Sequence, residues 1–420
     1  YEKGKLRKDV WGLIFANIRL KIVEEDMKAE TGSCVVGERR MLELVDRYGV
    51  DVYEAHKAYL FDSTERMMRS EIRRIPNGTY CGESTGFFDG RTPGSQYTIR
   101  VRITVEDEHI TFDYSDTDPQ TSGFVNGTYT SSASATLLTF LQMVNPDIPH
   151  NDGMVRPLDI IIPEGTILNA AYPAATTYGN HLCPINANAI MRALGPIIPD
   201  RVTAEWNALL CSLTTGNDPR KGAPYVDIGF MGLKGGSGGI KGTDGYDHIG
   251  MIDASGGVLD QDYEMFEQQT PHLLLQHEYW KDSAGAGRWR GGLGVVTAFR
   301  IGGGNTKVVT FGEGDVEAPL GSHEGEPGTL NKIELRYPDD TVYPCTTKDL
   351  VERVPEGTIY YQEAGGGGGY GHPFKRPIEK VREEVRNDIL SVEKARKDYG
   401  VVIDPVTFEV DIEATRAIRG

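Results

Sequence analysis

An α+β fold is expected for this chain of 420 residues, with mixed, mainly antiparallel sheets, helices in the N-terminal part, a C-terminal helical tail and glycine-rich loops. Three observations carry that expectation. Apolar residues recur at helical spacing up to about residue 75, the stretch "YTIRVRITVEDEHITFDYS" alternates with a period of two, and the second half breaks into short apolar runs divided by turn residues.

The first helical region contains "VGERRMLELVDRYG" and "VYEAHKAYLFDSTERMMRSEIRR", which set Met41, Leu44 and Val45, then Val52, Tyr59 and Met67, on one face. Pro76, Asn77 and Gly78 stop it. A hairpin with one dry face follows, because Ile99, Val101, Ile103 and Val105 alternate with polar residues, and Ile110, Phe112 and Tyr114 resume the period after an acidic turn. "SSASATLLTFLQMV" and "PINANAIMRALGPII" read as short buried helices, with a strand turn at Pro-Glu-Gly in "RPLDIIIPEGTIL" between them. The stretch 223–260 is glycine-rich loop between short strands. "HLLLQHEYW", "GVVTAFRIG", "TKVVTFGE", "NKIELRYP", "TVYPC" and "GTIYYQEA" then read as strands. In the tail, Pro377 suits a first helical position, Ile378, Val381, Val385 and Ile389 share a stripe, and Gly400 suits a cap. The expected regions are 1–95 mainly helical, 96–260 a mixed α/β core with the glycine-rich loop, 261–362 mainly β, and 363–420 a glycine turn and helical tail.

A net charge of −17 would repel a phosphate backbone, which excludes nucleic acid as a partner. No run approaches the roughly 18 apolar residues that span a bilayer. The cysteines at 34, 81, 183, 211 and 345 lie far apart with no C-x-x-C pattern, which suits a reducing compartment, and a cytoplasmic location is expected. The opening on Tyr1 reads as a start inside a longer polypeptide.

A phosphate loop needs G-x-x-x-x-G-K-[ST], and "GGSGGIKGT" puts Gly242 where the hydroxyl residue should stand. In "EAGGGGGYGHP", close packing of the chain against a sheet explains the glycines without a ligand; contact with an anion near the following helix is the other reading. Cys183 has no base paired with it. Arg288, Trp289 and Arg290 suit a strand-entry turn whose arginines are tied to carboxylates, and could alternatively grip an anion. His272 and His277, five positions apart, should fall on opposite faces of a strand. "DGYDHIG" is more informative. Asp247 and His248, with Asp253 and Asp262 nearby, form either a polar turn or a carboxylate-oriented imidazole ready for proton transfer. In "TTYGNHLCP", Tyr178 and Asn180 are candidate substrate-binding residues and His181 a third catalytic candidate beside Asp247 and His248, capping being the alternative.

Five segments taken together, "GERRMLELVDRYG", "DYSDTDP", "SAGAGRWRGGLGVV", "AGGGGGYGHP" and "ILSVEKARKDYGVVID", resemble the hydantoinase B/oxoprolinase family over nearly the whole chain. "DGYDHIGMIDASGGVLDQDYEMFEQQTPHLLLQHEY" is similar to its acetone and acetophenone carboxylase branch. The resemblance implies the C-terminal part of a subunit of an ATP-dependent ketone carboxylase with bicarbonate as carboxyl source. A hydantoinase A-like partner would bind ATP, and an N-terminal hydantoinase B-like part or a small subunit could complete the assembly. ATP-dependent opening of a cyclic amide is the second expectation, and a non-catalytic scaffold subunit the third. Family members carry their metal ligands in a His-x-x-Asp and a later His-His-x-Asp segment, neither of which occurs here. A metal ion of the Mn or Zn type is therefore expected outside this segment, and no metal ligand is assigned within it.

Overall fold

The computed structural model describes residues 1–18, 23–176, 181–208, 210–229, 234–249 and 260–420. These fall into two compact units, one of residues 1–66 with 149–154, the other of residues 67–148 with 155–420.

The smaller unit holds α1 (Lys8–Asn17), α2 (Val23–Tyr48) and most of α3 (Val50–Ile72). The helices form where the spacing puts them, but their apolar stripe stays uncovered. Met41, Leu44, Val52 and Tyr59 are exposed, and no residue of α2 is buried. Its 26 residues rest on length and local pairs such as Lys28 with Glu24 instead. The return segment is fitted closely: Asn151 Nδ2 donates to Thr64 Oγ1 over 2.9 Å, and a Cβ on Gly153 would sit 2.1 Å from the Phe61 carbonyl oxygen.

In the larger unit, a first sheet runs in the order β1 (Gly78–Phe87), β2 (Gln96–Glu106), β3 (His109–Asp113), β4 (Leu158–Ile161). The expected hairpin is β2–β3, with Ile99, Val101, Ile103, Ile110 and Phe112 buried; β4 joins in parallel. Strand β1 has no apolar alternation for a simple reason. α5 (Cys183–Leu194), which follows α4 (Tyr129–Leu141), lies so close that a Cβ on Gly82 would be 2.1 Å from the Ala189 carbonyl oxygen.

The remaining strands are β5 (Leu210–Asp218), β6 (Ala223–Ile228), β7 (Leu273–Tyr279), β8 (Val295–Arg300), β9 (Gly304–Gly312), β10 (Lys332–Arg336), β11 (Val342–Cys345), β12 (Leu350–Val354) and β13 (Ile359–Ala364), with α6 (Tyr263–Gln269) before β7. They build an antiparallel sheet β11-β10-β13-β8-β7 and another β12-β9-β5-β6. Leu210, Phe266, Phe299, Ile301, Val308, Leu335 and Tyr360 form one core cluster drawn from both sheets and α6. Burying each such side chain fully contributes about 1.5–3 kcal/mol.

The tail is broken into α7 (Ile378–Arg386), α8 (Val392–Lys397) and α9 (Ile412–Arg419). Val381, Val385, Leu390, Ala395 and Tyr399 share its core. Pro377 stands at the N-cap of α7, and Gly400, at φ +65°, closes α8 by donating to the Arg396 carbonyl over 3.1 Å.

Gly365–Gly369 runs between other main chains as a buried ribbon. Gly367 N–H donates to the Gly292 carbonyl (3.0 Å), Gly368 N–H to Glu205 (2.9 Å) and Gly369 N–H to Glu326 (2.9 Å). None of the five has a positive φ. What excludes side chains is contact with neighbouring backbones: a Cβ on Gly367 would lie 2.0 Å from the Ser237 carbonyl oxygen, and one on Gly368 2.1 Å from that of Leu320. The same need, glycine at a crowded axis, governs collagen.

Candidate functional site

That ribbon supports the loop carrying His248. Residues 234–249 fold back on themselves, with Ser237 N–H donating to the Tyr246 carbonyl (3.0 Å) and Ile249 N–H to that of Gly235 (2.9 Å). One arm bonds to the glycine ribbon, through Gly236 N–H to Gly365 O; the other bonds to residues 290–293, through His248 N–H to Leu293 O. At its end His248 takes φ +47°, a left-handed conformation uncommon outside glycine.

The structure separates Asp247 from His248. Asp247 accepts from Arg290 Nη1 (2.8 Å) and from the Leu293 amide (2.7 Å), and Arg290 also donates to Glu384 (2.9 Å). Arg376 completes this set through Asp244 and Glu384. Arg290 is therefore tied to carboxylates, and the set joins the loop to α7. Asp262 caps α6 by accepting from the Met265 amide (3.0 Å). Asp253, Tyr178 and Asn180 lie outside the described residues.

The carboxylate that meets His248 is Asp260, which sequence reasoning missed. His248 Nε2 lies 2.5 Å from Asp260 Oδ2, and His277 Nε2 lies 3.7 Å from the same oxygen. Lys234 Nζ stands 2.8 Å from Asp260 Oδ1. Behind the rings, His248 Nδ1 is 3.2 Å from the Lys234 carbonyl oxygen and His277 Nδ1 is 3.0 Å from Thr297 Oγ1. Burial works against a charge on Asp260. The contacts from His248, His277 and the Lys234 ammonium outweigh it and hold the carboxyl well below the usual range. His277 reaches this face because β7 is irregular. Leu274 pairs with Phe299 and Gln276 with Ala298, so the extra residue reverses the alternation between them. His277 consequently shares a face with Thr297 and Phe299, the ring on which His272 stacks at 5.0 Å. The expected opposition of the two histidines is overturned by that bulge. His272 itself is buried against Thr214 Oγ1 (3.0 Å), and burial pushes its pKa down to about 3. Asp260 remains 27% exposed, the most accessible side chain of the three.

His181 belongs to a second, sealed cluster. Its Nε2 lies 3.1 Å from Glu313 Oε1, which also accepts from the Tyr97 hydroxyl and pairs with Lys348 Nζ (2.7 Å). Glu313 Oε2 accepts from the Phe87 amide (3.3 Å), and Lys348 donates to the Phe87 carbonyl (2.8 Å). Each of these side chains is 5% exposed or less. Burial pushes the His181 pKa down against the pull of Glu313, while the Lys348 charge and the His181 bond keep Glu313 below its ordinary value despite its own burial. Neutral His181 donates from Nε2, and its buried Nδ1 has no hydrogen-bond partner among the described residues.

Residues 1–373 match the hydantoinase B/oxoprolinase family. Caprolactamase subunit beta of Pseudomonas jessenii is 33% identical over 433 aligned residues, covering 100% of this chain and 73% of that one. The crystal structure of the ATP-dependent caprolactamase from the same organism superposes with a TM-score of 0.88 at 29% identity, over 99% of this chain and 73% of that one. Nucleotide-free acetone carboxylase superposes with a TM-score of 0.81 over 90% of this chain and 57% of that one. At 18% identity that likeness speaks for the fold alone.

Proposed function

Because the chain belongs to the hydantoinase B/oxoprolinase family, we propose that it is a subunit of an ATP-dependent enzyme that opens a cyclic amide, working with a hydantoinase A-like partner that binds ATP. The observation that carries this reading is the 33% identity, along the whole chain, to an amide-opening subunit. An amide carbon is a poor electrophile until its oxygen is activated, and transfer of a phosphoryl group from ATP would provide that activation. In the net reaction ADP leaves as the phosphoryl group passes to the amide oxygen, one water adds to the carbonyl carbon, the ring C–N bond breaks with nitrogen taking up a proton, and a second water releases inorganic phosphate, so that the carbon ends as a carboxylate. Water must be made nucleophilic for this, and the half-open His248–Asp260–His277 cluster is where we place that step. Ketone carboxylation is the second reading, supported by the shared fold of acetone carboxylase.

ATP turnover by the assembled complex separates the two. Ring-opened product formed in step with ADP, from lactams, hydantoins or 5-oxoproline and without regard to bicarbonate, is the expected result. Turnover that requires both a ketone and bicarbonate would overturn it. Full activity in a folded, assembled Asp260→Asn variant would instead make this chain a scaffold.

A further inference from the structure

We infer that His248, Asp260 and His277 bind a divalent first-row transition cation, of the Zn²⁺ or Mn²⁺ kind, through the two imidazole Nε2 atoms and Asp260 Oδ2. The ligand atoms lie within 4.8 Å of one another. A tetrahedral ion with bonds of about 2.0–2.1 Å sets its ligands roughly 3.3 Å apart, so the present separations of 2.5 and 3.7 Å from Oδ2 bracket that spacing.

The hydrogen bonds behind the rings give the argument its direction. The Lys234 carbonyl has no proton to offer, so the proton between it and His248 sits on Nδ1. With Nδ1 so engaged, Nε2 is the ring nitrogen that faces Asp260 Oδ2, where a bound cation would take the place of a shared proton. His277 repeats the arrangement: Nδ1 meets the Thr297 hydroxyl, and Nε2 faces Oδ2 at a distance too long for a hydrogen bond. An outer partner on one ring nitrogen that leaves the other free is how metal-ligating histidines are held. Two nitrogens and one oxygen suit first-row transition ions better than Mg²⁺ or Ca²⁺, which favour oxygen alone. Two unusual backbone features, the bulge in β7 and the left-handed His248, are what bring these side chains together.

Lys234 occupies only Oδ1. It offsets the Asp260 charge, so a bound dication keeps its net positive charge and attracts an anionic ligand, hydroxide or the phosphate of an activated substrate, at its open position. Three protein ligands with an open position are the pattern of a catalytic site. The sequence around these residues does not match the His-x-x-Asp and His-His-x-Asp segments of the family resemblance, so this is a separate site. Its catalytic use rests on the cyclic-amide reading; the binding does not.

The test is metal content and affinity. Chelator-treated protein is dialysed against Zn²⁺, Mn²⁺ or Co²⁺, and bound metal is counted by mass spectrometry, with folding followed by circular dichroism. His248→Gln and His277→Gln should each lose one equivalent of metal or weaken its binding on the order of 100-fold or more, and should alter the visible spectrum of the Co²⁺ form. His56→Gln, an exposed position on α3, should change neither. Unchanged stoichiometry, affinity and Co²⁺ spectrum in folded His277→Gln would overturn the inference, as would binding weaker than about 1 mM in the parent protein. Metal bound here without turnover of any cyclic amide would sink the proposed function and leave the site; turnover by protein that binds no metal here would do the reverse.

Discussion

His181 with Glu313 and Lys348, and His248 with Asp260 and Lys234, each combine an imidazole, a carboxylate and an ammonium, yet they sit in opposite conditions. Around Glu313 every contact is donor to acceptor: hydroxyl, imidazole N–H, ammonium and main-chain amide converge on one carboxylate away from water. Around Asp260 the His248 Nδ1 is spent on a carbonyl, so Nε2 is the nitrogen left facing the carboxylate, and the group stays partly open. The first arrangement is a brace, because its carboxylate oxygens are filled by donors and the group is sealed from water. The second gathers two imidazole nitrogens and a carboxylate oxygen at a partly exposed place. Residue type therefore says less about function than which ring nitrogen the backbone claims.

The sharpest way to break this comparison is Glu313→Gln, which leaves the Lys348 ammonium buried without a counter-charge. A loss of about 3–5 kcal/mol in unfolding free energy is expected, measured by denaturant titration; an unchanged midpoint would remove the brace. Asp260→Asn should act the other way round. We expect activity of the assembled complex to fall by a factor on the order of 100 or more, with an unfolding midpoint that drops far less than in Glu313→Gln.

Acid sharpens the contrast further. The Glu313 carboxyl is depressed in the folded state, so its stabilisation is present above the ordinary glutamate pKa and is lost as pH falls through the lower, folded value. Acid unfolding followed by circular dichroism should show a steep loss of stability below about pH 4.3, and Glu313→Gln should flatten it. The smallest effect is expected at Thr297→Val, which removes only the partner of His277 Nδ1. About tenfold lower activity without a change in melting temperature is the expected outcome.

Much of the architecture was legible because it rests on periodicity. The β2–β3 hairpin, helices α4 and α5, and strands β7 to β11 and β13 follow the apolar spacing. Strand β1 was not legible, since Gly82 and Gly86 answer to the approach of α5 and to the Tyr97 ring rather than to strand propensity. His248 stood out as an imidazole in a loop with little bulk around it and His181 as one just ahead of a helix, but their partners did not. Asp260 and Glu313 are brought to them across long stretches of chain, and no spacing rule connects them.

By itself the sequence determined the α+β character, many of the helices and strands and the family, because local spacing and the order of distinctive segments carry that information. Only the tertiary structure decided what the charged and imidazole side chains do. It moved Asp247 to Arg290, gave His248 to Asp260, turned His277 onto the same face through a bulge, and sealed His181 beside Glu313. The reason is that hydrogen-bond direction and burial depend on neighbours remote in the chain, and a single extra residue in a strand reverses which neighbours those are.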